Sequence, residues 1–479
     1  MSFFGSRKHM AAFALIFLAL FVIGTWKLSA SPATWFDEGI NIGIAQSLVQ
    51  HGVYNLPVGP EQYVTMKQFL ITTNYPVLLP VALSLKLFGT GLAAARVPMV
   101  AYLFLFVLAA YLLVRRIAGE AAALWTAALI VMFVPFYGNG KDVLGEVPGL
   151  FFLLSALLVL PDEWDVVRLL GAGLLLGLSI ATKPFFLLVI PAIAVGEWYR
   201  ARWSLRMPDL WKRLGMLALG ALVPLLGWLY TILPEPSVAG VVAMVHYYSN
   251  SYASTDIGGL IGANILRFVT ETTPIHFFLL ALATLAAAIV RLRRSARLRE
   301  AEVVAYVFIG LNVLWYLKTP GWYRYFFPAH LLIFLFAPAA LLALFRKRTA
   351  VIILTVLLVI QAGYLFTKRN DPLYNSDETN VFSSYVLAHT DPAKTIFVAN
   401  APSVAFLLSS RDPYQYLQIN PTLAFGSGII VANGKGVYDY IIVDRPVENV
   451  LIPDLAQVLA ADYTATETVG HLTLYAKNS

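Results

Sequence analysis

Long apolar runs broken by short polar stretches set the pattern of this chain from residue 11 to residue 366. Runs of membrane-crossing length fall near 11–29, 98–114, 121–137, 147–161, 167–182, 184–199, 214–233, 275–291, 302–317, 328–345 and 350–366. Each approaches the ~20 residues a helix needs to cross hydrocarbon. The pattern predicts about eleven transmembrane helices, with soft boundaries at 147–161 and around Lys183. The first run follows "MSFFGSRKHM" as a signal peptide would. It is long, however, and no small-residue cleavage site falls cleanly before "WFDE", so a retained first span is expected.

Between the first and second runs lies a long loop, 30–97. In it "INIGIAQSLVQHGVYN" and "YPVLLPVALSLKLFG" have apolar residues at helical spacing. Both are expected as interfacial helices flanking a cavity, the first of them amphipathic. If 76–90 crossed the bilayer, every later loop would change sides. Beyond residue 367 the period changes. Short apolar strands ("TIFVAN", "YDYIIVD", "HLTLYAK") alternate with helical stretches ("APSVAFLLSS", "IPDLAQVLAADY"). This predicts a small α/β domain over 368–479, acting as a lid or scaffold over the membrane part, residues 1–367. "GSGIIVANGKG" lacks the spacing of a phosphate-binding loop.

Composition agrees with the runs. The 479 residues are 59% hydrophobic and 13% charged, against about 25% charged in soluble domains. This is a polytopic membrane protein. Cysteine is absent, which excludes disulfides and thiolate chemistry. Charge placement orients the chain. Of 34 Lys and Arg, 18 fall on the N-terminal side of alternating spans, 9 in the longer opposite loops and 7 beyond residue 366. The N-terminus is therefore expected in the cytoplasm and the C-terminal domain outside it, in a bacterial inner membrane.

The spans are nearly free of charge, whereas transporters and pumps place ionisable groups near the midplane. The unexplained charges gather at the opposite span ends: Asp37, Glu38, Lys67, Lys86, Arg96, Lys141, Asp142, Glu146, Lys183, Lys318 and Arg324. A site at the outer membrane boundary follows.

The order of these pieces resembles the GT-C glycosyltransferases, nearest the branch of protein O-mannosyltransferases and the lipid A aminoarabinose transferase. A first span is followed by Asp37-Glu38, then Ala45, Leu48, Gly52 and Tyr54. Next come Tyr75-Pro76, Phe88-Gly89 and Arg96; later, Glu146 in "GEVPGLFFLLSALL", Lys183-Pro184 in "GLSIATKPFFLL", and Arg324 in "GWYRYFFPAHLLIFL". The resemblance covers roughly 10–345 and implies an inverting glycosyltransferase. It would move a sugar from a polyprenyl-phosphate donor to an extracytoplasmic acceptor, whether lipid A, a glycan or a protein hydroxyl.

By that resemblance Asp37 is the base that takes the acceptor's proton, and Glu38 and Glu146, grouped with it as catalytic, orient the acceptor, the Lys side chains or a metal. The leaving lipid phosphate needs cations, for which Lys67, Lys141, Lys183 and Arg324 are candidates. Asp142, Tyr75 and Tyr325 complete the binding set. No metal ligands are assigned. A divalent cation is left open, since this branch resembles metal-independent enzymes more than the oligosaccharyltransferases do. Membrane lipids are expected partners and nucleic acid is not.

Each residue also has a plainer reading. Asp37, Glu38 and Glu146 suit helix N-termini. Lys141 and Asp142 make a loop pair, Lys183 reaches the interface, and Arg324 anchors an aromatic belt. Lys67 sits in a mobile loop. His51 and His330 read as structural. "HYYSNSY" (246–252) suits a sugar or an interface equally. A flippase for lipid-linked glycans and a non-catalytic scaffold remain open alternatives.

Overall fold

The computed structural model describes residues 6–478 except 234–236, 250–255, 294–296, 369–370, 372–373, 421–422, 427, 429, 433–434, 445–451 and 453–454. Helix α1 (Arg7–Thr25) opens the chain, followed by α2 (Phe36–His51), a small strand pair β1 (Pro57–Gly59) and β2 (Gln62–Tyr63), α3 (Lys67–Leu70) and α4 (Tyr75–Phe88). Then come α5 (Leu92–Ala118), α6 (Glu120–Val131), α7 (Val134–Gly140), α8 (Glu146–Val159), α9 (Val166–Thr182), α10 (Val189–Arg200) and α11 (Pro208–Ile232). The second half of the helical part is α12 (Val238–Ser249), α13 (Ile257–Thr270), α14 (Thr272–Arg293), α15 (Glu300–Tyr316), α16 (Tyr323–Ile333), α17 (Ala337–Leu344) and α18 (Lys347–Lys368).

Every expected span meets a helical segment, but not all are simple rods. Five helices, α1, α5, α11, α14 and α18, are long and apolar enough alone to cross a membrane. The run at 121–137 is α6 and α7 bent by 65°, and that at 328–345 is α16 and α17 bent by 46°. Pro135 and Pro338 stand just after these breaks, where they donate no N–H and favour a new helix start. The run at 184–199 begins as a 3-10 turn, Pro184–Leu188.

Close packing of α9 on α11 comes from small residues. A Cβ on Gly173 would meet the Leu217 carbonyl at 2.2 Å, and one on Gly220 the Leu170 carbonyl at 2.2 Å. Small residues allow this approach where lipid supplies no hydrophobic drive between helices.

Two expectations for the loop regions are corrected. α2 is not an amphipathic interfacial helix. Glu38 through Ser47 are all buried, because α2 lies between α4 and helix α20 (Pro402–Leu407) of the C-terminal part. Its apolar residues Ile40, Ile42 and Ile44 recur every second position, so they surround the helix instead of striping one face. The stretch 234–274, expected as a loop between the spans at 214–233 and 275–291, contains α12 and α13. α4 has 14 residues, about 21 Å at the helical rise, and falls short of a crossing.

After α18 come α19 (Glu378–His389), β3 (Ile396–Ala399), α20 (Pro402–Leu407), β4 (Tyr414–Asn420), β5 (Leu423–Phe425), β6 (Val431–Ala432), β7 (Lys435–Gly436), β8 (Tyr440–Asp444), α21 (Leu455–Asp462), β9 (Tyr463–Val469) and β10 (Leu472–Lys477). Six strands form one sheet in the order β5-β4-β3-β8-β10-β9, with β6 and β7 paired separately. β3 runs parallel to β4 (Phe397↔Tyr414) and to β8 (Phe397↔Ile441). It is buried along its whole length, as a central parallel strand covered on both faces should be. Ile396 and Val398 face α19 and α20, and Phe397 and Ala399 face α21.

Candidate active site

Adjacent residues on a helix point about 100° apart, and the first turn of α2 uses this to separate its two acids. Asp37 faces a cavity and forms an ion pair with Arg324 Nη1. Glu38 turns away and is fully buried. Arg96 meets it with a bidentate fork, Nε to Oε1 at 2.7 Å and Nη2 to Oε2 at 2.6 Å. The Val143 amide adds a bond to Oε1 at 3.2 Å. Arg96 also donates to Asp142 Oδ1 at 3.0 Å and to the carbonyls of Leu28 (3.0 Å) and Pro32 (2.9 Å). Its donors are thus fully used. Glu38 is an internal strut and not a reactive group: its carboxylate is sealed from any substrate.

Asp142 and Lys141 belong to the same buried cluster. Burial pushes the Asp142 carboxyl well up, the neighbouring Glu38 adds to this, and Arg96 and Lys141 oppose it. The Lys141 amine is held down to about 7 by burial and then by Arg96, against the pull of Asp142. It donates to the Trp26 carbonyl at 2.8 Å. Neither residue reaches the cavity.

Arg324 is placed by a pinned turn. Asn264 on α13 donates to the carbonyls of Tyr316 (3.3 Å), Leu317 (3.1 Å) and Thr319 (2.8 Å), and Arg267 donates to Gly321 O at 3.0 Å. Gly321 has φ +82°, and a Cβ there would strike Asn264 Oδ1 at 2.4 Å; only glycine fits. α16 starts two residues later. Arg324 Nη2 donates to the Tyr325 hydroxyl at 3.1 Å, and the guanidinium carbon lies 5.0 Å from the Trp322 and Tyr325 ring centres.

Lys183 follows the end of α9 in extended conformation, ahead of Pro184. Its amine meets Glu146 Oε1, while Glu146 Oε2 has no partner among the described residues. Glu146 is fully buried and Lys183 lines the cavity, so Glu146 acts on the cavity through Lys183.

The cavity measures about 1160 Å³, above the usual range for a small-ligand pocket. Asp37, Lys183, Arg324 and Tyr325 line it. Leu187, Leu188, Trp228 and Met244 make an apolar side, and Asn400, Gln418 and Ile419 reach it from the β-sheet region. Besides Glu38, Lys141, Asp142 and Glu146, two further expected residues do not line it. Tyr75 Oη donates to the Pro224 carbonyl at 3.2 Å and so ties α4 to α11. Lys67 opens α3, whose Phe69 and Leu70 face the cavity in its place; burial lowers the Lys67 amine. Of "HYYSNSY", Tyr247 lines the cavity, and 250–252 lie outside the described residues. Arg96 as an ion-pair hub, Asn264 as a turn clamp and the contribution of Asn400 and Gln418 escaped sequence reasoning. Only Arg96 had a visible trace, as part of a motif.

The described residues do not make a metal site. Among the described residues no three His, Asp or Glu converge. Asp37, Glu38, Asp142 and Glu146 each already face a cationic side chain.

A family profile described as Dolichyl-phosphate-mannose-protein mannosyltransferase matches residues 77–228. A search of curated proteins finds no match. The chain carries the GT-C glycosyltransferase fold, as the motif order implied. In particular it is similar to ArnT from Cupriavidus metallidurans bound to undecaprenyl phosphate, with 14% identity, 98% of each chain covered and a TM-score of 0.63. It is also similar to the oligosaccharyltransferase of Archaeoglobus fulgidus in complex with Zn and sulfate, with 14% identity, 97% of this chain and 73% of that one covered, and a TM-score of 0.58.

Proposed function

We propose that this protein is an inverting glycosyltransferase that uses a polyprenyl-phosphate-linked sugar. The acceptor oxygen attacks the anomeric carbon as the bond from that carbon to the phosphate oxygen breaks. The proton passes to Asp37, and the electron pair leaves on the lipid phosphate. Arg324 and Lys183 face the same cavity and are suited to that phosphate, the one as a planar fork and the other as a point charge. The side lined by Leu187, Leu188, Trp228 and Met244 suits the first units of a polyprenyl chain.

The observation that supports this reading is the pairing of Asp37 with Arg324 at the wall of one cavity. Base and phosphate cation stand together there, as a displacement requires. Undecaprenyl phosphate bound by a protein of the same fold supports the donor class. The orientation proposed with it has a cytoplasmic N-terminus and residues 368–479 as an extracytoplasmic domain of a bacterial inner-membrane protein. The acceptor class, lipid, glycan or protein, stays with the envelope chemistry of the host.

Asp37→Asn keeps the volume and removes the base. Transfer measured with a polyprenyl-phosphate sugar should fall by ~10²–10⁴-fold, with protein yield unchanged. Transfer near the wild-type rate sinks the assignment.

A further inference from the structure

From Tyr323, the residue before Arg324, runs a polar chain that the reaction above does not use. Tyr323 lines the cavity, and its hydroxyl lies 3.0 Å from His330 Nδ1. His330 Nε2 lies 2.9 Å from His276 Nδ1. His330 is fully buried. Phe133 and Phe334 pack against both imidazoles. His276 Nε2 has no partner among the described residues, so the chain is closed at that end and open at the cavity.

The closed end fixes the direction of the hydrogen bonds. A neutral imidazole has one N–H and one lone pair. Bonds running inward from Tyr323 would force a hydrogen onto His276 Nε2, where nothing accepts it. Bonds running outward leave only a lone pair there: His276 Nδ1–H donates to His330 Nε2, and His330 Nδ1–H donates to the Tyr323 oxygen. A buried N–H without an acceptor is the rarer and costlier of the two defects. With its oxygen occupied, the Tyr323 hydroxyl keeps its own hydrogen for a partner outside this chain, and the cavity that Tyr323 lines is where an occupant can supply one.

We infer that His276 and His330 are positioning residues that hold Tyr323 as an obligate hydrogen-bond donor to an anionic oxygen of the cavity's occupant. The identity of that oxygen, a phosphate oxygen of the lipid-linked donor, rests on the proposed function. The hydrogen-bond direction does not. His330 is read as structural from the sequence, and it is structural in serving the tyrosine.

Two measurements test this. The first is ¹⁵N solid-state NMR of histidine-labelled full-length protein in bilayers. It should find both imidazoles neutral with hydrogen on Nδ1; hydrogen on Nε2 of His330 overturns the inference. The second is titration of detergent-solubilised protein with undecaprenyl phosphate. Tyr323→Phe should weaken binding by ~10-fold or more, the cost of one hydrogen bond to a charged group. His330→Phe should match it. His330→Asn, whose amide nitrogen stands where Nδ1 does, should keep most of the affinity. Unchanged binding in Tyr323→Phe, or equal loss in His330→Asn and His330→Phe, overturns the inference. If wild-type protein binds no undecaprenyl phosphate, the donor assignment fails, and the NMR result still decides the orientation of the chain.

Discussion

Gly39 and Gly43 lie one turn apart on α2, yet alanine should act on them in opposite ways. A Cβ on Gly39 would sit 2.3 Å from Ser403 N and 2.6 Å from the Pro402 carbonyl carbon, both backbone atoms of α20. Ordinary contact starts at 3.4 Å, so α2 and α20 would have to part by about 1 Å, and no side chain can rotate to spare them. A Cβ on Gly43 meets only Leu56 Cδ1 at 2.8 Å, which a rotamer change relieves. Alanine gains about 1 kcal/mol over glycine inside a helix. Gly43→Ala should therefore be neutral or stabilising. Gly39→Ala should lose about 1–3 kcal/mol from overpacking, offsetting that gain. Asp37 is two residues away, and a shift of about 1 Å at a reacting group costs ~10²-fold in rate. The assays are apparent melting temperature in detergent, hydrogen exchange over residues 402–407, and glycosyl transfer. If Gly39→Ala is as stable and as active as Gly43→Ala, the described seam between α2 and α20 is wrong.

Other outcomes follow from the buried charges and the pinned turn. Arg96→Met strands Glu38 and Asp142 and should cost about 3–5 kcal/mol; adding Glu38→Gln should recover part of it. Thermal unfolding of the two variants checks both, and a loss below about 1 kcal/mol contradicts the hub. The Lys141 amine is held at about 7, below its ordinary 10.5. Between these values the unfolded chain binds a proton that the folded one does not, so this group makes stability rise with pH from about 7 upward. Below 7 both states are protonated and its contribution is flat. Lys141→Met should remove that rise, as measured by melting temperature from pH 6 to 9. Asn264→Ala releases three carbonyls of the turn before α16 and should lower transfer by ~10-fold through misplacement of Arg324. An unchanged rate would mean that Gly321 and Arg267 hold the turn alone.

The sequence carried the bundle well because lipid imposes one rule on every span, a long apolar run. It carried the breaks poorly. The bend between α6 and α7 lies inside a continuous apolar stretch, and only Pro135 hints at it. α2 misled for a related reason. A helix buried on all sides has no polar stripe, and its second face is covered by α20, more than 350 positions later in the chain. At the site, Asp37, Lys183 and Arg324 were visible in the sequence as unexplained charges at span ends. That Glu38 is sealed while its neighbour is exposed could not be read from "DE", because it depends on helical phase and on Arg96. Lys67 was chosen as a charge in the outer loop and Tyr75 by motif order, and each of these fixes a neighbourhood and not a direction. Asn264 and Asn400 are uncharged residues whose work is geometric, and no periodicity marks them.

The ion pair between Asp37 and Arg324 has a kinetic consequence. In the resting site the Arg324 guanidinium occupies Asp37 Oδ2, so the two groups proposed to serve the acceptor and the phosphate are engaged with each other. An arriving phosphate competes for the same guanidinium, and Asp37 Oδ2 is freed for the acceptor's proton as Arg324 turns to the newcomer. Arming would then depend on the donor, and an acceptor that arrived first would meet an idle base. Initial rates with both substrates varied should accordingly follow a compulsory order, donor before acceptor. A random-order pattern would mean that Arg324 never leaves Asp37.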